Sequence, residues 1–419
     1  MIHTTRAVPF SPDLPAPHRG AFDRLLTAER LVAYPKILMS IFAIVVTAWT
    51  VLTLVNPSMV DPAGKPFGHD FISTWSAARL ALEGRAADAY DIHAIFAMHK
   101  QAVPGAATIY LWPYPPWTQM LAMSLGLLPY PLALILFMSG GLALWIHVLT
   151  RIVTDPRAQW CAWALPAALI CFLFSQNGFI SAGLMGTALL MLDRRPWLAG
   201  VLIGLLAFKP HLGILVPIAL LATGRWRTIA TASVVVVTLA AASVAILGVD
   251  LWHAFLENLP QTRANVDSGF LPRGMIPTPY AFALSVGAGS QVAMALQILS
   301  ALAAAACVWT VWRKETAPFA IKAATLCAAS MLVSPYMFHY DLVMLGLAMG
   351  FLGMEALRTG FLPYERSALI MAWLAPLLIM NWYGLTGTQI GAAATIFMLV
   401  VLVRRALGTH VPVAGLSRA

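Results

Sequence analysis

Two side chains are the first candidates for chemistry: an aspartate at the start of an amphipathic segment and a lysine inside an apolar one. Asp70 lies at the start of the amphipathic segment 70–83, where a carboxylate can act as a helix N-cap or as a general base. Lys209 is followed by Pro210 and has apolar residues on both sides. A lysine in this setting can snorkel to the surface, pair with a carboxylate or bind an anion such as phosphate. The sequence leaves these alternatives open.

Two further polar groups interrupt apolar segments. The segment 334–341 contains His339, which is able to bind phosphate, and Asp341, which is able to orient the histidine or cap the next helix. Gln176 and Asn177 join two apolar segments, where a turn explains them and where an amide also suits a sugar hydroxyl. The sequence has no Walker loop, Rossmann glycine pattern or HExxH motif.

The composition limits where these residues can be placed. Of 419 residues, 60% are hydrophobic and 10% are charged, whereas soluble domains carry roughly 25% charged residues. No compact soluble fold of this length hides so much apolar surface. The four cysteines all fall in apolar segments without metal-binding spacing, which indicates packing. The composition therefore predicts an all-α polytopic membrane protein.

The apolar segments predict the membrane helices, since a crossing needs about 20 apolar residues. Segment 197–223 contains Lys209, and a lysine at the bilayer centre costs about 2.5–3.5 kcal/mol. Two half-length helices meeting at Lys209-Pro210 avoid this cost. Segment 117–128 is too short to cross, which favours an interfacial or re-entrant helix. With the breaks at 197–223 and within 367–403, we expect about twelve crossings, from the segments 37–55, 131–150, 159–174, 178–192, 197–223, 228–249, 292–312, 323–333, 342–357 and 367–403.

The basic residues predict the orientation. Most Lys and Arg fall in one set of loops together with both termini, which the positive-inside rule assigns to the cytoplasm. The net charge of +9 then reflects orientation and does not indicate nucleic-acid binding. We expect cytoplasmic tails at 1–36, with a surface helix at 20–31, and at 405–419, around a membrane domain at 37–404. Two outer loops, 56–130 and 250–288, remain, and the first predicts interfacial helices at 70–83 and 88–101.

Several of these motifs together resemble glycosyltransferase family 87, part of the GT-C superfamily of integral-membrane transferases. The family includes α-mannosyltransferases that use polyprenol-phosphate-mannose. The order of the motifs carries the resemblance, and they are Gly68-His69-Asp70-Phe71, Tyr114-Pro115-Pro116, Gln176-x-Gly178, Lys209-Pro210-His211-Leu212, Gly224-x-x-Arg227 and Ser334-Pro335 followed by His339.

The resemblance implies a GT-C-type fold and a role for each matching residue. Asp70 is expected to be the catalytic base of an inverting displacement on a polyprenyl-phosphate sugar, with mannose as the expected sugar. Lys209 and His339 are expected at the donor phosphate, with Arg79 and Arg263 as further cations. Contacts to the sugar or to a lipid or glycan acceptor are expected from His69, Trp112, Tyr114, Gln176, Asn177, His211, Tyr336 and Tyr340.

The sequence differs from the family pattern at two places. Many members read Gly-Gln-x-Asn where this chain reads Ser175-Gln176-Asn177-Gly178, and the mannolipid enzymes often carry paired histidines where it has His339-Tyr340. The sugar and the acceptor therefore stay open. We expect a monomer in the bacterial inner membrane, active on the periplasmic face and needing neither metal nor cofactor. The alternative is a transporter or flippase of lipid-linked saccharides.

Overall fold

A computed structural model describes residues 29–61 and 64–408. Among these residues the regular structure is helical, with one isolated bridge between Val60 and Pro66. The α-helices, in chain order, are α1 (Arg30–Val55), α2 (Phe71–Leu82), α3 (Ile92–Ala102), α4 (Pro116–Gly126), α5 (Tyr130–Ile152), α6 (Pro156–Trp163), α7 (Pro166–Leu173), α8 (Gly178–Met191), α9 (Pro196–Leu205), α10 (Pro210–Gly213), α11 (Val216–Ala222), α12 (Trp226–Leu247), α13 (Asp250–Asp267), α14 (Pro279–Ser285), α15 (Ser290–Arg313), α16 (Phe319–Ser330), α17 (Val343–Thr359), α18 (Glu365–Thr386) and α19 (Gly391–Leu407). Four 3₁₀ turns join them, at Ala86–Tyr90, Leu206–Phe208, Arg273–Met275 and His339–Leu342.

The long helices confirm a polytopic all-α membrane protein. Six helical segments of the described chain have the length and apolar composition needed to cross a bilayer: Val32–Leu52, Tyr130–Ile152, Trp226–Leu247, Ser290–Arg313, His339–Thr359 and Glu365–Thr386. Shorter apolar helices accompany them. The number of crossings and their orientation stay predictions. The tails at 1–28 and 409–419, with most of the expected surface helix, lie outside the described residues.

The expected break at Lys209-Pro210 is present. α9 ends at Leu205, one 3₁₀ turn follows, and Lys209 adopts φ −130° and ψ 74° before α10 begins at Pro210. The physical cause is Pro210, which lacks an N–H and disfavours the α-helical conformation at the residue before it. The helix break is covered by α4, where the Trp117 indole donates to the Ala207 carbonyl at 3.0 Å and the Thr118 hydroxyl donates to the Phe208 carbonyl at 3.1 Å.

The helix that follows Asp70 is more enclosed than an interfacial helix. Nine of the twelve residues of α2 are buried, because α4 packs against it. The Gln119 amide donates to the backbone oxygens of Ala77 at 2.9 Å and Ala86 at 3.0 Å. The Trp75 indole donates to the Leu128 carbonyl at 3.0 Å. Protein side chains cover both sides of α2, which holds its N-terminal residue in a defined place.

The segment 250–288, treated as a loop in the sequence, contains the helices α13 and α14. The C-terminal end of α13 is tied to the following helices by polar contacts. The Tyr280 hydroxyl donates to Asp267, and the Ser290 hydroxyl donates to the second Asp267 oxygen at 2.9 Å. This end lies beside the 334–341 segment, since the Thr278 hydroxyl donates to the Pro335 carbonyl at 3.2 Å.

The final apolar segment divides into α18 and α19 at Gly387, within the break that the sequence predicts for 367–403. Gly387 has φ +69°, a left-handed conformation that glycine adopts without steric cost. The other ends of the two helices are joined by a buried ion pair, in which Arg405 Nε lies 2.6 Å from Glu365 Oε1. The Arg405 guanidinium also donates to the Gly360 carbonyl at 2.6 Å. α18 and α19 thus pack as an antiparallel pair.

Candidate active site

The Asp70 carboxylate does not cap the helix that it precedes. No hydrogen bond from the first turn of α2 reaches its side chain, so the N-cap interpretation is excluded. Instead, the Gln176 amide donates to Asp70 Oδ2 at 2.7 Å. The Asp70 backbone N–H donates to the Phe174 carbonyl at 3.3 Å. The turn between α7 and α8 therefore holds Asp70 through both its side chain and its backbone.

Backbone strain is concentrated on both sides of this contact. His69, the residue before Asp70, has φ +37°, and Ser175, the residue before Gln176, has φ +49°. Few non-glycine residues adopt positive φ, and such strained positions cluster at functional sites. Gly68 also has positive φ, at +82°, and a Cβ there would collide with the Tyr130 hydroxyl. The surrounding structure therefore forces the two chain segments that present Asp70 and Gln176 into unusual conformations.

Lys209 is paired with an aspartate deep in the protein. Its Nζ lies 2.5 Å from Asp341 Oδ1 and donates to Asn177 Oδ1 at 3.0 Å. The exposed fraction is 4% for Lys209 and 2% for Asp341, so solvent does not screen the pair. The ammonium also lies 5.2 Å from the centre of the Tyr340 ring. An ammonium has three N–H donors, and two of them serve Asn177 and Asp341.

Asn177 links Lys209 to the residues that hold Asp70. Its amide group donates to the Tyr114 hydroxyl at 2.7 Å, while its oxygen accepts from Lys209. Gln176, the preceding residue, holds Asp70. Two adjacent amides at the start of α8 therefore bring Asp70 and Lys209 into one polar network.

An aromatic group closes the site on the side of Phe174. The rings of His69 and His339 stand edge-on to Phe174, with centroid separations of 5.6 Å and 5.0 Å. His339 is buried and interacts with the backbone of Met275. His69 Nε2 lies 3.4 Å from an oxygen of Asp61. Two of the three histidines predicted to contact substrate, His69 and His339, therefore pack against the same Phe174 ring.

Burial dominates the electrostatics at Asp70. Loss of hydration raises the pKa of its carboxyl from 3.8 to about 6, although the Gln176 hydrogen bond and the positive charges of Lys209 and Lys65 oppose the shift. Burial also lowers the pKa of His69 to about 4, so this imidazole is neutral near pH 7. A carboxylate with a pKa of about 6 is a competent general base at neutral pH, since it is ionised and yet accepts a proton readily.

Several predicted residues are close to the network without forming part of its hydrogen bonds. Tyr340 stacks on Phe338 at 5.2 Å and faces Lys209. His211 lies two residues after Lys209, in α10. Trp112 is 2% exposed and packs at 4.8 Å against Tyr114, which favours a supporting role for the indole.

Three other predicted residues are not brought to the network. Arg79 is nine positions along α2 from Asp70, about 13 Å of helix rise, and pairs with Glu83 at 3.5 Å. Arg263 donates to the Ser290 hydroxyl at 2.8 Å. Tyr336 packs against Tyr280 with ring centroids 6.3 Å apart. The last two belong to the cluster at the C-terminal end of α13.

Sequence reasoning missed two features of the site. It did not identify Asp341 as the carboxylate partner of Lys209, although a buried lysine without a carboxylate is costly. It also did not include Phe174 or Lys65, for which the sequence offered no signal. The described residues contain no group of three or more His, Cys, Asp or Glu side chains that could hold a metal ion.

The fold and the site together define an integral-membrane protein with a buried polar centre at the ends of its helices. A family model described as glycosyltransferase family 87 matches residues 112–335. This match spans more than half of the chain, and the chain therefore belongs to that family and is a membrane glycosyltransferase. No curated protein and no solved structure gives a significant match. The match includes Gln176 and Lys209, whereas Asp70 and Asp341 lie outside it and join the site through the tertiary structure.

The start of α8 offers a test of the network's geometry. A Cβ on Gly178 would lie 2.9 Å from the Tyr340 carbonyl oxygen and 3.0 Å from Cys171 Sγ. We expect Gly178→Ala to displace the two amides and to lower sugar transfer about 10- to 100-fold, because small misplacements of catalytic groups have effects of this size.

The matched control is Gly140→Ala, since a Cβ on this exposed glycine of α5 meets no atom within 4 Å. It should leave transfer unchanged and slightly raise the melting temperature. Equal activities of the two variants in reconstituted vesicles would show that the Gly178 contact does not position the site.

Proposed function

We propose that this protein transfers a sugar, mannose first among the candidates, from a polyprenyl-phosphate donor to a hydroxyl of a lipid or glycan acceptor. The observation that carries the proposal is the half-buried Asp70 carboxylate, joined through Gln176 and Asn177 to the buried Lys209. The family match supplies the class of reaction. The donor's prenyl chain would lie in the bilayer, with its headgroup at the outer ends of the helices.

The proposed reaction is one displacement. The acceptor oxygen attacks the anomeric carbon while the bond from that carbon to the phosphate oxygen breaks, and the bonding electrons leave with the prenyl phosphate. The acceptor proton passes to Asp70. Phosphate is a good leaving group, so one carboxylate suffices and no general acid is needed. A single in-line displacement inverts the anomeric centre.

The remaining side chains would bind and orient the substrates. Lys209 has one N–H that serves neither Asn177 nor Asp341, and this N–H would donate to a phosphate or sugar oxygen of the bound donor. His339 and Tyr340 form the adjoining wall and would contact the donor. The buried environment strengthens such contacts, because charges in a buried site are weakly screened.

The test is sugar transfer in membranes that contain the full chain. Labelled polyprenyl-phosphate mannose, glucose and arabinose are supplied separately, and the lipids and glycans are analysed by chromatography and mass spectrometry. We expect consumption of one donor and label in a new product of inverted configuration. Movement of intact donor across the bilayer without consumption would instead support a flippase and contradict the proposal.

A further inference from the structure

The positive charges around the site are not equally available to a ligand. Lys209 is neutralised by direct contact with Asp341. Arg79 and Arg263 each have a carboxylate oxygen at 3.5 Å. Lys65 differs, since its ammonium has no carboxylate within ion-pair distance among residues 29–61 and 64–408. Of these four cations, Lys65 is therefore the one whose charge no described carboxylate balances by contact.

Lys65 lies at the Asp70 end of the site. Its Nζ is 5.8 Å from the centre of the Phe174 ring, and the carbonyl of this same Phe174 accepts the Asp70 backbone N–H at 3.3 Å. His69 contacts Phe174 as well, at 5.6 Å between ring centroids. Lys65 is thus positioned by the same aromatic ring that adjoins the candidate base.

The backbone of Lys65 is held while its ammonium is not. The Asp61 N–H donates to the Lys65 carbonyl at 2.8 Å, and the Lys65 N–H donates to Asp61 Oδ1 at 2.9 Å. The bridge between Val60 and Pro66 closes the same turn. The side chain, by contrast, lies over the face of the Phe174 ring and is only partly buried.

We propose that Lys65 binds the phosphate of a lipid-linked substrate at the Asp70 end of the site. A cation over a partly exposed ring is a weak contact, and a charge-assisted hydrogen bond to phosphate is stronger. The Lys65 ammonium can exchange the ring contact for a hydrogen bond to phosphate without backbone movement. This proposal rests on the proposed function, which supplies two sources of the same chemistry: the donor's prenyl phosphate and the headgroup phosphate of a phospholipid acceptor.

The experiment measures binding of two soluble probes to the purified full chain in detergent by isothermal titration. Farnesyl phosphate stands for the donor, dihexanoyl phosphatidylinositol stands for a phospholipid acceptor, and farnesol reports binding without phosphate. The variants are Lys65→Ala, Lys65→Gln and Lys65→Arg. Lys100→Ala is the matched control, because Lys100 also lies over a phenylalanine ring, 4.5 Å from the centre of Phe96, on the exposed surface.

We expect Lys65→Ala and Lys65→Gln to weaken one phosphate probe about tenfold or more. Lys65→Arg should stay close to wild type, and Lys100→Ala and farnesol binding should not change. Loss confined to farnesyl phosphate assigns the donor, and loss confined to phosphatidylinositol assigns the acceptor. Unchanged affinity for both probes in the Lys65 variants, or no binding of either probe to the wild type, overturns the proposal. A wild type that binds phosphate through Lys65 but transfers no sugar would contradict only the proposed function.

Discussion

Asp70→Asn is expected to lower sugar transfer at least about a hundredfold, within the usual contribution of a positioned general base. The amide keeps the shape of the carboxyl and an oxygen that accepts the Gln176 hydrogen bond, but it cannot take the acceptor's proton. Donor binding should therefore persist while turnover is lost. The measurement is the initial rate of product formation, with donor binding determined in parallel.

Asp88→Asn is the control for this variant. Asp88 is an exposed carboxylate on the same predicted outer segment and pairs with Arg85 at 2.7 Å, so its substitution should leave the rate unchanged. An Asp70→Asn protein that binds donor and keeps full turnover would remove Asp70 from the role of base.

The raised pKa of Asp70 also predicts how the rate and the stability depend on pH. The base must be ionised, so the rate should rise with pH through about 6 and then level off. For stability, the folded pKa of about 6 exceeds the ordinary value of 3.8. Ionised Asp70 therefore destabilises the folded protein above pH 6, and this cost is progressively relieved as pH falls from 6 towards 4.

Asp70→Asn should abolish both effects. Its melting temperature at pH 7 should equal or exceed that of the wild type, which separates a lost catalytic group from a misfolded protein. If the melting temperature of Asp70→Asn at pH 7 is well below that of the wild type while that of Asp88→Asn is not, the Asp70 carboxylate stabilises the fold.

Lys209→Met is expected to be the most destabilising single change at the site. It leaves Asp341, which is 2% exposed, as a buried charge without its ion-pair partner, and breaking such a pair typically costs about 3–5 kcal/mol. The variant should be poorly expressed and should melt at a much lower temperature. Thermal unfolding in detergent measures the effect.

Two controls make this prediction specific. Arg85→Met breaks the exposed pair with Asp88 and should cost no more than about 1 kcal/mol. Lys209→Met combined with Asp341→Asn removes both charges and keeps an oxygen for the Phe338 N–H, which Asp341 Oδ2 accepts at 3.4 Å. The double variant should recover most of the stability.

Activity of the double variant then decides between two roles of Lys209. If the lysine contacts the donor, the stable double variant stays inactive. If stability and sugar transfer return together, Lys209 serves the fold alone, and Lys65 remains as the cation for phosphate. If the double variant is as unstable as Lys209→Met, the unpaired Asp341 charge is not the cause of the lost stability.

Much of the architecture was predictable from local chemistry. Apolar length gave the long helices, because a membrane helix must satisfy its backbone internally over about 20 residues. Pro210 predicted the helix break, since proline acts on its immediate neighbours. Asp70 and Lys209 were recognisable because a charge is conspicuous in so apolar a chain. The enclosure of α2 was not predictable from its own residues, since it depends on α4 packing against it.

The class of protein, the helices and the residue types of the site could be predicted from local sequence patterns. Which of these residues meet depends on the packing of the helices: Asp70 accepts from an amide 106 positions away, and Lys209 pairs with an aspartate 132 positions away. Helix periodicity and the conformational effect of proline act over a few residues, so the sequence alone predicts them. The partner of a single buried charge depends on how whole helices pack. This packing brings Asp70, a possible N-cap in the sequence, and Lys209, a possible lone lysine, into one hydrogen-bonded network.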